Sequence, residues 1–127
     1  MSGRAFPVVY AHDVGLSVRF YETLGFEEQF RMPQDSEPGY VGMRRDDAEL
    51  AIVTVESPRQ LIGLEVGSGP RFEMFVYVHD LDQEMGELRG AGVTVLREPE
   101  QMPWGERVAY VADPDGNPVA LADAGLV

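Results

Sequence analysis

The pattern of apolar and polar residues near the C-terminal end of the chain predicts a β-hairpin. Residues that favour strands fill 108–112 and 119–122, and the segment between them, 113–117, reads Asp-Pro-Asp-Gly-Asn. Pro at the second position of a turn, Asp that accepts local backbone bonds, and Gly or Asn that takes positive φ are typical of such a connection. We therefore predict a hairpin over residues 107–123, with either Gly116 or Asn117 at positive φ.

The same reading from the start of the chain predicts one helix and four strands. Apolar residues recur at helical spacing from Val14 to Leu24, and Gly25 ends that element. The segment 57–70 holds two prolines and three glycines, so we predict a linker with a helical turn near 59–64. The predicted strands are 7–11, 26–32, 40–45 and 49–55.

An internal repeat organises these elements into two halves. His12-Asp13 recurs 67 residues later as His79-Asp80, Gly25 recurs as Gly92, and the Asp46-Asp47 turn recurs as Asp113-Pro114. We predict an α+β fold in a single domain, with two βαβββ modules: module one over residues 4–56 and module two over residues 71–123. Asp13 and Asp80 are predicted helix N-caps, with both histidines beside them in surface or capping roles. One face of each sheet is then covered by a helix, and the other is available for core packing or for a cavity.

Two stretches of the sequence resemble a known superfamily. VVYAHDVGLSVRFYETLGF in the first half and WGERVAYVADPDGNPVAL in the second are similar to the vicinal-oxygen-chelate superfamily, which includes glyoxalase I, extradiol dioxygenases, fosfomycin resistance enzymes and bleomycin resistance proteins. The resemblance covers nearly the whole chain. It implies that the two modules form curved mixed sheets around a cleft. It also implies a homodimer in which the modules pair within one chain or between chains.

The resemblance further implies four metal-ligand positions, which fall here on Phe6, Val53, Glu73 and Ala120. Only Glu73 can bind a metal, whereas a catalytic divalent ion needs about three protein ligands. We therefore predict no metal, no other cofactor and no catalytic residue, as in the metal-free bleomycin-resistance-like members. The alternative is a metal-dependent lyase, isomerase or dioxygenase, because a one-residue slip in a strand would present different side chains.

Strand alternation predicts an apolar, aromatic lining for the cleft. Side chains two residues apart share a face. If Phe6 and Glu73 face the cleft, the residues two and four positions after each of them are expected to face it too. Trp104 lies in a loop and is predicted to be a lid or stacking platform. Arg107 either pairs with Glu73, meets a ligand carboxylate or lies at the surface, and core packing is the alternative reading of the apolar positions. The predicted ligand-binding residues are Phe6, Tyr10, Met32, Tyr40, Met43, Val53, Glu73, Phe75, Trp104, Arg107 and Tyr110.

Charge and composition narrow the choice of partner. Twenty-two acidic and ten basic residues give a net charge of -12, which argues against a nucleic-acid partner. The negative charge either aids solubility or attracts a cationic ligand. The chain has no cysteine, so disulfides and thiolate nucleophiles are excluded. It has no apolar run of about 20 residues and no signal-peptide pattern, so we expect a cytoplasmic protein with no membrane partner. The predicted function is sequestration of an aromatic or cationic, antibiotic-like small molecule.

Overall fold

The computed structural model describes residues 4–123, which form two compact units divided between Ser68 and Gly69. The first unit contains β1 (Val8–Ala11), α1 (Val14–Thr23), β2 (Glu27–Met32), β3 (Tyr40–Arg45), β4 (Ala48–Thr54) and α2 (Glu56–Ile62). The second contains β5 (Met74–Val78), α3 (Leu81–Gly90), β6 (Val95–Gln101), β7 (Arg107–Ala112) and β8 (Pro118–Asp123). The predicted α+β fold of two βαβββ modules is confirmed.

Each module has one four-stranded mixed sheet. The strand orders are β1-β4-β3-β2 and β5-β8-β7-β6. In both sheets the first strand pairs in parallel with the last, and the remaining neighbours are antiparallel. This order follows from the chain path: the helix carries the chain across the sheet after the first strand, and hairpins join the next three.

Aspartate caps begin the two long helices, as the sequence predicts. Asp13 accepts a hydrogen bond from the backbone N–H of Leu16 (3.0 Å), and Asp80 accepts one from Gln83 (3.1 Å). Both caps satisfy N–H groups that the first helical turn leaves without partners. Each helix is followed by a glycine at positive φ, Gly25 at 93° and Gly92 at 81°, which redirects the chain into the next strand.

The helices define the two faces of each sheet. Helix α1 packs against β2, β3 and β4, and α3 packs against β6 and β8. Under α1, Val9, Val41 and Ile52 are fully buried, and the ring of Tyr21 packs edge-on against Phe26 at 6.0 Å. Alternate residues on the same strands point away from the helix, and Val8 among them is exposed. We call this second side of each sheet its open face.

A polar network inside the β7–β8 hairpin fixes the loop predicted from the sequence. Buried Asp113 accepts hydrogen bonds from the backbone N–H groups of Asp115 and Asn117 and from the Asn117 side-chain amide, each 2.9 Å long. Asn117 in turn accepts a 2.9 Å bond from the backbone N–H of Arg71, just before β5. Gly116 is the loop residue with positive φ, at 84°.

The single repeat offset of 67 residues is wrong beyond the helices. Tyr10 pairs with Val53, whereas its counterpart Tyr77 pairs with Ala122, so 69 residues separate equivalent positions on the last strands. The connection between β3 and β4 has two residues, whereas that between β7 and β8 has five. Because the longer loop moves the register, the counterpart of Val53 is Ala122 rather than Ala120.

The predicted linker contains a helix that lies earlier than expected. Helix α2 spans Glu56–Ile62 instead of the predicted 59–64 and ends at Gly63, whose φ of 71° stops the helix. Across residues 4–123, no helix is long and apolar enough to cross a membrane.

Candidate functional site

Four of the predicted ligand-binding residues form one row across the open face of module one. Tyr10 pairs with Val53, Val53 with Tyr40, and Tyr40 with Met32. Cross-strand partners point to the same face, so these side chains are neighbours. The adjacent row on the same face is Val8, Ala51, Gly42 and Phe30.

A pocket of about 280 Å³ lies at the Gly42 and Phe30 end of this adjacent row. Aromatic side chains line it: Phe6, Phe30 and Tyr40. The rings of Phe30 and Tyr40 meet edge to face with centroids 6.0 Å apart. Gly42 lies beneath them, and a methyl group there would be 3.9 Å from the Tyr40 ring and 4.0 Å from Cβ of Phe30. Both distances are ordinary van der Waals contacts, so the Phe30 and Tyr40 side chains pack close to the backbone at Gly42.

Charged residues close one end of this pocket. Arg4 donates from Nε and Nη2 to the two carboxylate oxygens of Glu49, at 3.0 and 2.6 Å. Arg44 lies 3.5 Å from the same carboxylate. The Arg4 hydrogen bonds hold the pKa of Glu49 below its ordinary value. Arg4 also lies over the ring of Phe6, 5.6 Å from its centroid, in cation–π geometry.

Met43, also predicted to bind ligand, lies on the helix-covered side of β3. It is three residues from Tyr40, and residues an odd number apart on a strand face opposite ways. It pairs with buried Leu50 and is 2% exposed. Although Met43 borders the pocket, its side chain belongs to the core.

The open face of module two is partly covered by its own loop. Met102 is buried against Val108, Ala120 and Ala122, and Tyr110 packs against this cluster. The loop is compact: the backbone N–H of Met102 donates to the carbonyl of Glu106 (2.8 Å), and that of Gly105 donates to the carbonyl of Met102 (2.9 Å). Met102 therefore fills a region of this open face with a packed side chain.

Exposed aromatic side chains surround a carboxylate beside this loop. Glu106 accepts hydrogen bonds from the Tyr77 hydroxyl (2.6 Å) and from Nε1 of Trp104 (2.8 Å). The ring of Phe75 lies 5.3 Å from that of Tyr77, tilted by 48°. Phe75, Tyr77 and Trp104 are 42%, 47% and 58% exposed. We call Phe75, Tyr77, Trp104 and Glu106 the aromatic–carboxylate cluster.

The hydrogen bond to Glu106 changes the acidity of Tyr77. Since the Tyr77 hydroxyl donates to the Glu106 carboxylate, the neutral phenol is favoured and the pKa of Tyr77 is raised above 10. A raised folded-state pKa contributes stability below the unfolded pKa, and this contribution is lost as the pH rises through the folded pKa. The bond therefore supports the fold at neutral pH and is lost in alkali.

Replacing Glu106 with glutamine should lower the Tyr77 pKa towards its ordinary value, because the acceptor loses its negative charge. The titration of the Tyr77 ring can be followed from neutral to alkaline pH by carbon-13 NMR. Glu73→Gln is the matched control, since Glu73 is an exposed carboxylate just before the same strand and should leave the titration unchanged. An unaltered Tyr77 titration in Glu106→Gln would show that the bond does not persist in solution.

Arg107 lies on the helix-covered face, where it does not meet Glu73. Its guanidinium donates to both carboxylate oxygens of Asp82 in α3, at 2.8 and 3.2 Å, and lies 3.8 Å from Asp123. The hydrogen bonds from Arg107 lower the pKa of Asp82. As with Met43, an odd separation from an open-face residue, here Tyr110, places the side chain on the other side. Of the alternatives that the sequence left open for Arg107, the pair with Glu73 is not formed; Arg107 links α3 to the sheet.

The side chains available do not fit the metal that the resemblance implies. With the corrected register, the four equivalent positions hold Phe6, Val53, Glu73 and Ala122, which include a single carboxylate. Within residues 4–123, no three His, Asp or Glu side chains are grouped so that they could hold a metal ion.

Sequence reasoning missed several residues of these two open faces. Phe30 could have been found from Met32, because residues two apart share a face. Glu106 had a weaker signal: it follows Trp104 by two residues in a loop. The position of Gly42 in the pocket lining depends on which residues lie across from it on neighbouring strands, and the sequence does not reveal this pairing.

Comparison with known proteins supports the fold and identifies the family. Residues 5–121 match the model of the glyoxalase/bleomycin resistance protein/dioxygenase superfamily. Among curated proteins, none matches this sequence. A glyoxalase-related enzyme from Fulvimarina pelagi is 26% identical with a TM-score of 0.78, over 96% of this chain and 88% of that one.

Two other solved structures show the same fold at lower identity. A bleomycin-binding protein complexed with bleomycin is 22% identical, with a TM-score of 0.67 over 96% of this chain and 98% of the other. A lactoylglutathione lyase from Agrobacterium tumefaciens is 18% identical, with a TM-score of 0.71 over 98% and 96%. Because the family model spans nearly the whole chain, the protein belongs to the glyoxalase/bleomycin resistance protein/dioxygenase superfamily.

Proposed function

We propose that the protein binds a planar, aromatic, positively charged small molecule without changing it chemically, on the aromatic–carboxylate cluster of module two. The observation that carries the proposal is the position of Glu106. Its carboxylate is held between two exposed aromatic side chains by hydrogen bonds from both. A fixed negative charge among aromatic surfaces suits a ligand that combines a flat ring with a positive charge.

The cluster provides the interactions that such binding requires. Phe75, Tyr77 and Trp104 offer ring faces and edges for stacking, and cations are attracted to aromatic faces. The two bonds that orient Glu106 reduce the side-chain freedom lost on binding. The net charge of -12 attracts cations over longer distances. A protein that sequesters its ligand needs affinity and stoichiometry, and these contacts supply affinity without a reactive group.

The comparison with the bleomycin-binding protein agrees with this proposal without identifying the ligand. That protein has been crystallised with bleomycin, but its identity of 22% to this chain supports a shared fold alone. The class of ligand is therefore argued from the cluster itself. The predicted cleft and the cytoplasmic location stay predictions of the sequence.

Replacing Trp104 with alanine should weaken binding of a planar aromatic cation by about 1–3 kcal/mol, because a stacking surface and a hydrogen-bond donor to Glu106 are both lost. N-methylquinolinium is a suitable probe, and calorimetry measures its affinity for both proteins. Leu96→Ala is the matched control, since Leu96 is an exposed apolar residue of β6 and should leave the affinity unchanged. Equal affinity in wild type and Trp104→Ala would remove Trp104 from the site.

Replacing Glu106 with glutamine tests the contribution of the negative charge, because it removes that charge and keeps the aromatic side chains. We expect this variant to bind N-methylquinolinium more weakly and to bind neutral quinoline as the wild type does, because the rings remain. Weak, equal binding of both probes to the wild type would contradict a cation-selective site.

We also propose that the chain forms a homodimer. Leu61, Ile62 and Leu64 at the end of α2 are 78%, 63% and 58% exposed, and neighbouring exposed apolar side chains are typical of association surfaces. A second copy that covers them would remove this apolar area from water. Sedimentation velocity distinguishes the dimer from the 14.1 kDa monomer.

A further inference from the structure

We propose that the β7–β8 loop contains a latent site of covalent modification: the pair Asp115-Gly116, which isomerises to isoaspartate when the loop opens and is protected while the loop is closed. The folded loop restrains both of the groups that react. This proposal rests on contacts within the loop and just before β5, and it is independent of any ligand bound at the aromatic–carboxylate cluster.

The sequence contains one pair that is especially suited to this rearrangement. The backbone nitrogen of the residue after an aspartate attacks the carbon of the side-chain carboxyl group. The new N–C bond closes a five-membered succinimide ring, and the N–H proton leaves with the carboxyl hydroxyl group as water. A glycine in the second position favours the attack, because it has no side chain to hinder it. Asp115-Gly116 is the only Asp-Gly or Asn-Gly pair in the chain.

The second step needs only water. Hydrolysis reopens the ring at either of its carbonyl carbons, so the reaction as a whole consumes no oxidant or reductant. Opening at one carbon restores aspartate. Opening at the other gives isoaspartate, in which the main chain runs through the former side chain and is longer by one carbon atom.

The attacking nitrogen is restrained in the closed loop. The backbone N–H of Gly116 donates to the carbonyl oxygen of Asp113 at 2.9 Å, and the backbone N–H of Asp115 donates to Oδ1 of the same residue at 2.9 Å. The peptide groups on both sides of Asp115 are therefore anchored to Asp113. Attack requires rotation of the peptide group between Asp115 and Gly116, and this rotation would break the bond that Gly116 donates.

The carboxyl group that would be attacked is restrained as well. The side chain of Asp115 is only 4% exposed, and its Oδ1 lies 3.7 Å from Nη2 of Arg71. Close packing and the opposite charge of Arg71 limit its rotation towards the backbone. Because both reacting groups are held, the reaction should proceed from the open loop, which forms by local unfolding.

Isoaspartate at position 115 would be incompatible with the closed loop. The additional carbon atom would lie between the N–H groups of residues 115 and 117, which both donate to Oδ1 of Asp113. Asn117 also accepts the bond from the backbone N–H of Arg71 that joins the loop to the start of β5. One isomerisation would therefore disrupt the buried network of the hairpin.

Comparison of the folded and unfolded wild-type chain tests the protection without any substitution. Samples are incubated at neutral pH in buffer or in guanidinium chloride, and isoaspartate at each position is measured by peptide mapping and mass spectrometry. We expect formation at Asp115 to be at least about tenfold slower in the folded chain. Asp35-Ser36 is the internal control, because both residues are exposed between β2 and β3 and their rate should change less. Equal rates at Asp115 in the two states would overturn the proposal.

Two variants separate opening of the loop from unfolding of the whole protein. Asp113→Ala removes the acceptor of the bonds from residues 115 and 117, so isomerisation at Asp115 should be at least about tenfold faster than in the folded wild type. Leu88→Ala is the matched control, because it destabilises the core under α3 and leaves the loop contacts in place. Its rate should stay near that of the wild type while circular dichroism shows it folded. Equal acceleration in both variants would overturn the proposal.

Discussion

Replacing Asp113 with alanine should lower the free energy of unfolding by about 2–4 kcal/mol, the larger part of which comes from hydrogen-bond donors left without an acceptor. Asp113 accepts three bonds inside the β7–β8 loop, and its partner Asn117 is 1% exposed. Water cannot easily replace the lost carboxylate there. Urea denaturation followed by circular dichroism measures the change.

Asp47→Ala is the matched control for this prediction. Asp47 lies in the corresponding hairpin turn of module one but is exposed, so its loss should cost less than about 0.5 kcal/mol. Asp113→Asn keeps one oxygen acceptor and should lie between the wild type and the alanine variant. Equal stabilities of Asp113→Ala and Asp47→Ala would show that the buried network does not stabilise the loop.

Replacing Leu88 with alanine should lower the free energy of unfolding by about 2–5 kcal/mol, because its fully buried side chain lies where α3 packs against the sheet. The loss combines the transfer free energy of the removed carbons with the cavity that remains. Leu96→Ala removes the same atoms from a residue that is 53% exposed. The free energies of unfolding of the two variants, measured by urea denaturation, should therefore differ by at least about 1.5 kcal/mol. A smaller difference would contradict the assigned core of module two.

The fold was predictable because its signals are local or repeat along the chain. Each local signal determines the geometry of its own segment. These signals are the N-caps Asp13 and Asp80, the glycines that end the helices and the turn at 113–117. Repetition of these signals indicated two modules. The position of α2 was less predictable, since its sequence has a proline and few capping signals.

The faces of the strands were predictable only where the alternation is unbroken. In β1 it correctly placed Tyr10 with its neighbours on the open face. In β2 the register shifts between Glu28 and Phe30, so Phe26 is buried against Tyr21 while Phe30 lies on the open face. A bulge of this kind has no clear mark in one sequence. Alternation does account for the helix-covered positions of Met43 and Arg107, because each is an odd number of residues from an open-face residue, Tyr40 or Tyr110.

The candidate site depends on contacts between residues far apart in the chain, which is why composition indicated its character but not its details. Sequence patterning predicted aromatic residues and an acidic environment. It did not predict that Glu106, 29 residues from Tyr77, accepts that residue's hydroxyl, or that Arg4 reaches Glu49. These contacts place a carboxylate beside aromatic side chains in module two and pair an arginine with a carboxylate in module one.

The most direct test of the proposed function is titration of the wild-type protein with N-methylquinolinium, monitored by the fluorescence of Trp104, the only tryptophan in the chain. We predict quenching that saturates at one probe per chain, with neutral quinoline binding more weakly. Quenching that rises linearly without saturation, as random collisions produce, would contradict binding at the aromatic–carboxylate cluster.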